Sequence, residues 1–137
     1  MNIRKVLSLA IFTAIIAITA TFSVSAQEMM KQETEKPIVA VIKADWCPYC
    51  KRVEPVISDL MNEYGEKMTF VIFDVTDDKA IKESMKKAEM LGIGEFFKDY
   101  KKKTSAVAVL KNKEIVYKTF NNGNRADYVK AFDSAIK

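Results

Sequence analysis

The chain has 137 residues, and its 22 lysines and arginines exceed its 18 aspartates and glutamates by enough for a formal net charge of +4. No basic motif accompanies this small excess, so the composition predicts no nucleic-acid partner. Two cysteines and no histidine are too few for a four-ligand structural zinc site within one chain. The charge and the cysteine count therefore direct attention to the cysteine pair itself.

Residues 1–26 have the features of an export signal. Arg4 and Lys5 precede an uncharged apolar stretch from Val6 to Ala20, and Val24-Ser25-Ala26 ends in the small-x-small pattern that a signal peptidase recognises. We therefore predict a cleaved signal peptide and a periplasmic or secreted protein. The whole uncharged stretch from Val6 to Gln27 is also long enough to span a bilayer, so a membrane anchor that leaves the domain facing the periplasm is the alternative.

The globular part of the chain is predicted to follow a short tail. Residues 27–36 are polar and charged, which is typical of a loose N-terminal tail. Residues 37–137 suffice for one compact domain with a single core. This domain begins with a short apolar run rich in β-branched residues, Ile38 to Ala44, which predicts a buried strand.

The two cysteines lie at the junction of this strand and a helix. Beyond them, apolar residues recur at three- and four-residue spacing as far as Tyr64, which predicts an amphipathic helix. Pro48, between Cys47 and Cys50, is expected in the first turn of that helix, where its missing N–H costs nothing. The sequence therefore predicts two thiols at the start of a helix.

That position predicts redox chemistry. Unpaired N–H groups and the macrodipole at a helix start favour a thiolate over a thiol, and Lys51 adds positive charge nearby. We expect Cys47 at the exposed edge of the turn, where it can attack a disulfide. Cys50 lies about one helical turn further and can resolve the mixed disulfide. A purely structural bridge would close a very short loop and stabilise little, whereas a metal or cluster shared between two chains remains the alternative.

The remaining elements follow in regular order. A second apolar run predicts a strand parallel to the first, because a crossover helix joins the two. Asp77 or Thr76 is expected to cap the next helix. The predicted elements are strand Met68–Val75, helix Asp78–Leu91, strand Ser105–Leu110, strand Glu114–Phe120 and a last helix capped by Asn124, with Asp127 as a capping-box acid.

Residues 94–103 interrupt this order with a short aromatic segment. Phe96, Phe97 and Tyr100 would form one side of an extra helix. Packing of the three aromatic rings over one edge of the sheet is the favoured interpretation. A flap that faces a substrate or partner beside the cysteines is the alternative.

The motif Trp46-Cys47-Pro48-Tyr49-Cys50-Lys51 after a buried strand resembles the thioredoxin-like family. Pro55 matches the proline that kinks the corresponding helix in thioredoxins, whereas the Pro-Tyr pair is of the glutaredoxin type. The resemblance implies an α/β thioredoxin fold with a central mixed four-stranded sheet in the order β-α-β-α-β-β-α. It also implies catalytic Cys47 and Cys50, supported by Trp46, Pro48 and Tyr49, with no cofactor beyond the redox-active pair.

The resemblance further implies a function outside the cytoplasm. We predict a thiol–disulfide oxidoreductase that reduces or isomerises disulfides of exported proteins and draws electrons from a donor, which the family implies is membrane-bound. The reverse role, as an oxidase, is the second choice. A monomer is expected. The rival is a non-catalytic thioredoxin-like binding module that holds a metal or an iron–sulfur cluster between two chains through Cys47 and Cys50.

The chain departs from the family at several positions. Thr104-Ser105 stands where thioredoxins place a cis-proline in the substrate loop, and we expect a trans bond because non-proline cis bonds cost about 2.5–4 kcal/mol. Val41 and Ile72 stand where the family buries an Asp and its accompanying Lys.

Two charged residues are candidates to compensate for these changes. In thioredoxins the buried Asp takes the proton of the resolving thiol. Glu54, one helical turn beyond Cys50, or a water is a candidate for that role, although a solvent-facing Glu54 is the favoured interpretation. Lys43, at the end of the first strand, either stabilises the Cys47 thiolate or extends to solvent.

Overall fold

A computed structural model of the protein describes residues 35–137. The predicted signal peptide and most of the predicted tail lie outside the described residues. The elements, in chain order, are β1 (Ile38–Lys43), α1 (Cys50–Tyr64), β2 (Thr69–Asp74), α2 (Asp78–Met90), α3 (Gly94–Tyr100), β3 (Ala106–Lys111), β4 (Glu114–Phe120) and α4 (Arg125–Ala135). Within residues 35–137, no helix is long and apolar enough to cross a membrane.

The four strands form one mixed sheet in the order β2-β1-β3-β4. β1 runs parallel to β2 and antiparallel to β3, and β4 returns antiparallel to β3. The parallel pair follows from the helical crossover α1, whereas the β3–β4 pair is a tight hairpin. At the hairpin turn, Asn112 and Lys113 both have positive φ, 53° and 68°, which is the backbone of a type I′ turn. The predicted fold class is confirmed.

Alternate residues of the central strands point to opposite faces of the sheet, and each face has its own apolar cluster. Val39, Val41, Val107 and Val109 pack with apolar residues of α1 and α4 on one face. On the other face, the cluster contains Ala40, Ile42, Ala108 and Leu110 with residues of α2 and α3. This sandwich of helices around the sheet holds the start of α1 at the end of β1.

The aromatic segment forms the predicted helix, α3, but it covers more than an edge. Phe97 is fully buried, and its ring lies 5.1 Å from that of Phe73 in the second strand. Phe96 belongs to the same cluster on the sheet face, and Tyr100 reaches the opposite edge strand, β4, where it stacks on Phe120 at 6.4 Å. The expectation of packing is therefore confirmed, but the aromatic segment extends across one face of the sheet, from edge strand β2 to edge strand β4, rather than over a single edge.

Capping of the helices agrees with the sequence in two cases and differs in a third. The Asp77 carboxylate accepts the N–H of Ala80 at the start of α2, and the Asn124 side chain accepts the N–H of Ala126 at the start of α4. Asp127, however, does not complete a capping box. Its carboxylate accepts a hydrogen bond from the Asn122 side chain, whose oxygen takes the Asn124 N–H instead.

Candidate active site

The loop between β1 and α1 holds both cysteines. The N–H of Cys47 donates to the carbonyl of Ala44 at 3.1 Å, so the loop turns back on the end of the strand. α1 begins at Cys50, with Tyr49 at the N-cap position and no side chain capping the helix. Pro48 therefore precedes the helix, and its predicted place in the first turn was wrong, because the chain turns once more before the helical hydrogen bonds begin.

The two sulfur atoms occupy different environments. The Cys50 N–H, an uncapped donor at the helix start, donates to Cys47 Sγ at 3.2 Å. Cys50 Sγ instead lies 4.0 Å from the carbonyl oxygen of Ile42. Neither cysteine is in a disulfide. One sulfur thus accepts a hydrogen bond from the helix end, and the other faces a carbonyl that can only accept.

The pKa values of the two thiols are displaced in opposite directions. Burial opposes ionisation of Cys47, but hydrogen bonding from the Cys50 thiol, the Thr104 side chain and the N–H groups of Cys50 and Tyr49 outweighs it and lowers the Cys47 pKa. Burial raises the pKa of Cys50, and the adjacent Cys47 sulfur raises it further. A pair of titratable groups separated in this way is suited to different roles in one reaction.

Cys47 is less accessible than the sequence predicts. Its exposed fraction is 2%, against 7% for Cys50, so the expectation of a thiol at the exposed edge of the turn was wrong. The Ala44–Cys47 hydrogen bond draws the loop inward, and Cys47 joins the apolar cluster that contains Ala44 and Ala106. The neighbouring Trp46 and Tyr49 side chains are 64% and 49% exposed, so the sulfur lies close beneath the surface.

Thr76 connects this loop to the end of β2. Its hydroxyl accepts the N–H of Asp45 at 3.0 Å and donates to the Asp74 carboxylate, while its carbonyl accepts the indole N–H of Trp46 at 3.2 Å. These hydrogen bonds hold the residues that precede Cys47. From the sequence, Thr76 is predicted only as a candidate helix cap. The one sequence signal for its role in the loop is a threonine directly after the end of a strand.

Lys43 and Lys51, whose charges the sequence places near Cys47, are not among the groups that displace its pKa. Lys43 Nζ lies 4.0 Å from the carboxylate of Asp45, and the Lys43 charge contributes to the lowered pKa of Asp74, after the larger effect of the Thr76 hydroxyl. Lys51 is exposed on α1. The groups that lower the Cys47 pKa are hydrogen-bond partners rather than these charges.

The substrate loop predicted from the sequence comes directly against the thiols. Ser105 is 2% exposed and has φ of 63°, in the left-handed region. Its N–H donates to the Ile42 carbonyl at 2.8 Å, its carbonyl accepts from the Asn121 N–H at 3.3 Å, and its hydroxyl contacts the Asn121 side chain. All peptide bonds among residues 35–137, including Thr104–Ser105, are trans.

Comparison with known proteins identifies the family. The family model described as Thioredoxin matches residues 18–121. The chain belongs to the thioredoxin family. This assignment agrees with the sheet order and with the position of the two cysteines at the start of α1.

Individual relatives give the same result over shorter spans. The chain is similar to Thioredoxin C-2 of Corynebacterium nephridii, with 40% identity over 36% of this chain and 48% of that protein. It is also similar to an H-type thioredoxin of Chlamydomonas reinhardtii, with 34% identity over 52% of this chain and 63% of that protein. The matched region thus spans about half to three-fifths of these relatives.

A solved structure supports the fold alone. The thioredoxin of Fasciola hepatica superimposes with a TM-score of 0.51 and 15% identity, over 80% of this chain and 89% of that one.

The thioredoxin-family positions that are apolar in this chain border a cavity. Val41 of β1 and Ile72 of β2 both line a space of about 190 Å³ between α1 and the sheet, and Cys50 and Ser105 line it as well. The cavity therefore lies beside the two positions where the resemblance to thioredoxins predicts a buried Asp and its Lys. Residues 35–137 contain no cluster of three or more His, Cys, Asp or Glu side chains placed to hold a metal ion.

Proposed function

We propose that the protein is an exported thiol–disulfide oxidoreductase that reduces or isomerises the disulfides of exported proteins. The observation that carries the proposal is the hydrogen bond from the Cys50 N–H to Cys47 Sγ at the start of α1. Together with the lowered pKa of Cys47 and the raised pKa of Cys50, it supports Cys47 as the nucleophile and Cys50 as the resolving thiol.

The reaction begins when the Cys47 thiolate attacks one sulfur of a substrate disulfide. A mixed disulfide between Cys47 and the substrate forms, and the second substrate sulfur leaves as a thiolate. Cys50 then loses its proton and attacks Cys47 Sγ, which releases the first substrate sulfur. The substrate disulfide is reduced by two electrons, and Cys47 and Cys50 are oxidised to a disulfide that an external donor must reduce.

We further propose that residues 1–26 export the domain to a bacterial periplasm and that the electron donor is bound to the membrane. The export pattern of Arg4, Lys5 and Val24-Ser25-Ala26 supports this location. Cell fractionation and the mass of the mature protein test it. A mature chain that begins at Gln27 supports a cleaved signal, and an intact chain in the membrane fraction supports the anchor.

Reduction of insulin by dithiothreitol tests the activity, with turbidity of the freed chains as the signal. Wild type is expected to accelerate precipitation, whereas Cys47→Ser should equal the uncatalysed control. Cys50→Ser should form a mixed disulfide but fail to turn over. Equal rates for wild type and Cys47→Ser would rule out the oxidoreductase.

A non-catalytic thioredoxin-like binding module is the second candidate, and the enclosure of Cys47 favours it. A sulfur with 2% exposure reacts with a large substrate only if the residues that enclose it move aside. If this candidate is correct, the purified protein should show the absorption of a cluster or metal–thiolate held between two chains, and it should lose that absorption in Cys47→Ser.

A further inference from the structure

Cys50 and a carboxylate, that of Glu54, border the same cavity beneath α1. Glu54 is four residues after Cys50 on α1, so their Cβ atoms are about 5–6 Å apart on one helix face. Both residues line the cavity of about 190 Å³. Glu54 is also exposed, so its side chain lies at the boundary between the cavity and bulk solvent.

Cys50 needs a proton acceptor that its direct contacts do not supply. In the proposed reaction it must become a thiolate before it attacks the mixed disulfide, and burial raises its pKa. The carbonyl of Ile42, at 4.0 Å, cannot take up a proton. The positions where the sequence comparison locates the family's buried Asp and Lys are apolar Val41 and Ile72.

The cavity has room and polar partners for water. A water occupies about 30 Å³ of liquid volume, so the space accommodates several. Cys50 Sγ, the Glu54 carboxylate, the Lys43 ammonium and the Ser58 hydroxyl belong to lining residues and can hydrogen-bond such water. Among these groups, in the part of the chain that the structure describes, Glu54 is the only carboxylate, and it is exposed to solvent.

We propose that Glu54 accepts the proton of the Cys50 thiol through water in this cavity and passes it to solvent. The proposal rests on the proposed oxidoreductase function and specifies its resolving step. The Cys50 S–H bond breaks, a water bridge carries the proton to the Glu54 carboxylate, and the Cys50 thiolate forms the bond to Cys47 Sγ. The substrate sulfur leaves with the electron pair of the mixed disulfide.

The other ionisable groups around Cys50 do not take this role. From β1, Lys43 faces the same cavity and carries a positive charge, and from the preceding loop Cys47 is in the mixed disulfide at this step. β2 contributes Ile72 to the wall, and Ser105 lies there just before the start of β3. Among the lining residues that the structure describes, Glu54 is therefore the one carboxylate.

Single-turnover kinetics with an aromatic nitrobenzoate disulfide test the proposal. Attack by Cys47 releases one coloured thiolate, and attack by Cys50 releases a second. The leaving group departs as a stable thiolate, because a low-pKa thiol leaves readily, so its protonation does not limit the second phase. The variants are Glu54→Gln and the matched control Asp59→Asn, which removes one negative charge from an exposed site on the same helix outside the cavity.

In Glu54→Gln we expect an unchanged first phase and a second phase slowed at least about tenfold, since a positioned general base contributes about 10²–10⁴-fold. Imidazole buffer should restore the second phase of Glu54→Gln in proportion to its concentration, whereas Asp59→Asn should behave as wild type. A second phase that is unaffected by Glu54→Gln, or one that is slowed but insensitive to buffer base, would overturn the proposal. Absence of even the first phase in wild type would instead refute the proposed function.

Discussion

The N–H of Cys50 donates to the sulfur of Cys47 at 3.2 Å, so the residue proposed to resolve the mixed disulfide also polarises the proposed nucleophile. The donor is a backbone group and does not depend on the Cys50 side chain. Replacement of Cys50 by serine should therefore keep this hydrogen bond while removing the second thiol. In this variant the reactivity of the Cys47 thiol can therefore be measured without a second thiol.

We expect Cys47 in Cys50→Ser to react with iodoacetamide along a pH profile whose midpoint lies below the ordinary thiol value of about 8.5. The physical reason is hydrogen bonding to the Cys47 sulfur: the serine hydroxyl can donate in place of the Cys50 thiol, and the Thr104 side chain and the N–H groups of residues 49 and 50 remain, which favours the thiolate despite burial. Mass spectrometry of the alkylated protein as a function of pH measures the profile, with Cys47→Ser as the control for Cys50. An ordinary midpoint, or a folded protein that resists alkylation at neutral pH, would contradict the assignment of Cys47 as nucleophile.

Thr76→Val should lower the free energy of unfolding by about 1–2 kcal/mol near neutral pH, because it removes hydrogen bonds to the Asp45 N–H and the Asp74 carboxylate. The pKa of Asp74 is lowered in the fold, first by the Thr76 hydroxyl. The contribution of the ionised Asp74 carboxylate to the free energy of unfolding is therefore fully present above the unfolded pKa of about 3.9. It is lost as the pH falls through the pKa of Asp74 in the folded protein.

Urea unfolding at a series of pH values checks this prediction. The difference between wild type and Thr76→Val should shrink in acid, and Thr119→Val, on the edge strand β4, should show little change at any pH. If the difference in the free energy of unfolding stayed constant down to strongly acidic pH, the hydrogen bond to the Asp74 carboxylate would not be the source of the lost stability.

Ser105 gives a test that separates backbone conformation from side-chain contacts. Ser105→Gly and Ser105→Ala both lose the hydroxyl, but only glycine adopts φ of 63° without strain. We expect Ser105→Gly to be more stable than Ser105→Ala by about 1 kcal/mol. Equal stabilities in urea unfolding would show that the left-handed backbone is not maintained.

Introduction of the family's proline at the same position should destabilise the protein. Proline fixes φ near −65° and has no N–H, whereas Ser105 has positive φ and donates to the Ile42 carbonyl. We expect Ser105→Pro to lose about 3 kcal/mol or more, measured in the same unfolding series. A stable Ser105→Pro with wild-type thiol reactivity would show that the loop switches readily to the conformation of its relatives.

Phe97→Ala should cost about 3–5 kcal/mol, because the side chain is fully buried and packs on Phe73. Tyr100→Phe removes only an exposed hydrogen bond with Lys118 and should change stability by less than about 0.5 kcal/mol. Thermal unfolding compares the two variants. If α3 were a mobile flap, both substitutions would be nearly neutral.

Much of the fold could be predicted because apolar periodicity reports which residues face the core. The stripe of α1 follows from this pattern, whereas the span of β4, in which no residue is buried, follows from strand-like alternation between two turn signals; both are confirmed. The site could be located for the same reason, since a strand followed by a helix places Cys47 and Cys50 at their junction.

The finer geometry depends on contacts that periodicity does not encode. The start of α1 at Cys50 and the burial of Cys47 both follow from one local hydrogen bond, between Cys47 and Ala44. The hydrogen bonds of Thr76 join residues about thirty positions apart, and a pattern of neighbours cannot show them. The cavity is lined by residues from α1, β1 and β2 together with Ser105, which are distant in the chain and whose meeting no local pattern predicts.

Both backbone polar groups of Ser105 are hydrogen-bonded within the protein: its N–H donates to Ile42, and its carbonyl accepts from Asn121. Its left-handed conformation is shared by Asn121, with φ of 54°, so two strained residues support each other at adjacent strand ends. The loop beside the thiols has therefore already lost its entropy of ordering in folding. Under the proposed function, selectivity for a substrate then depends on the shape of this fixed loop rather than on its adaptation during binding.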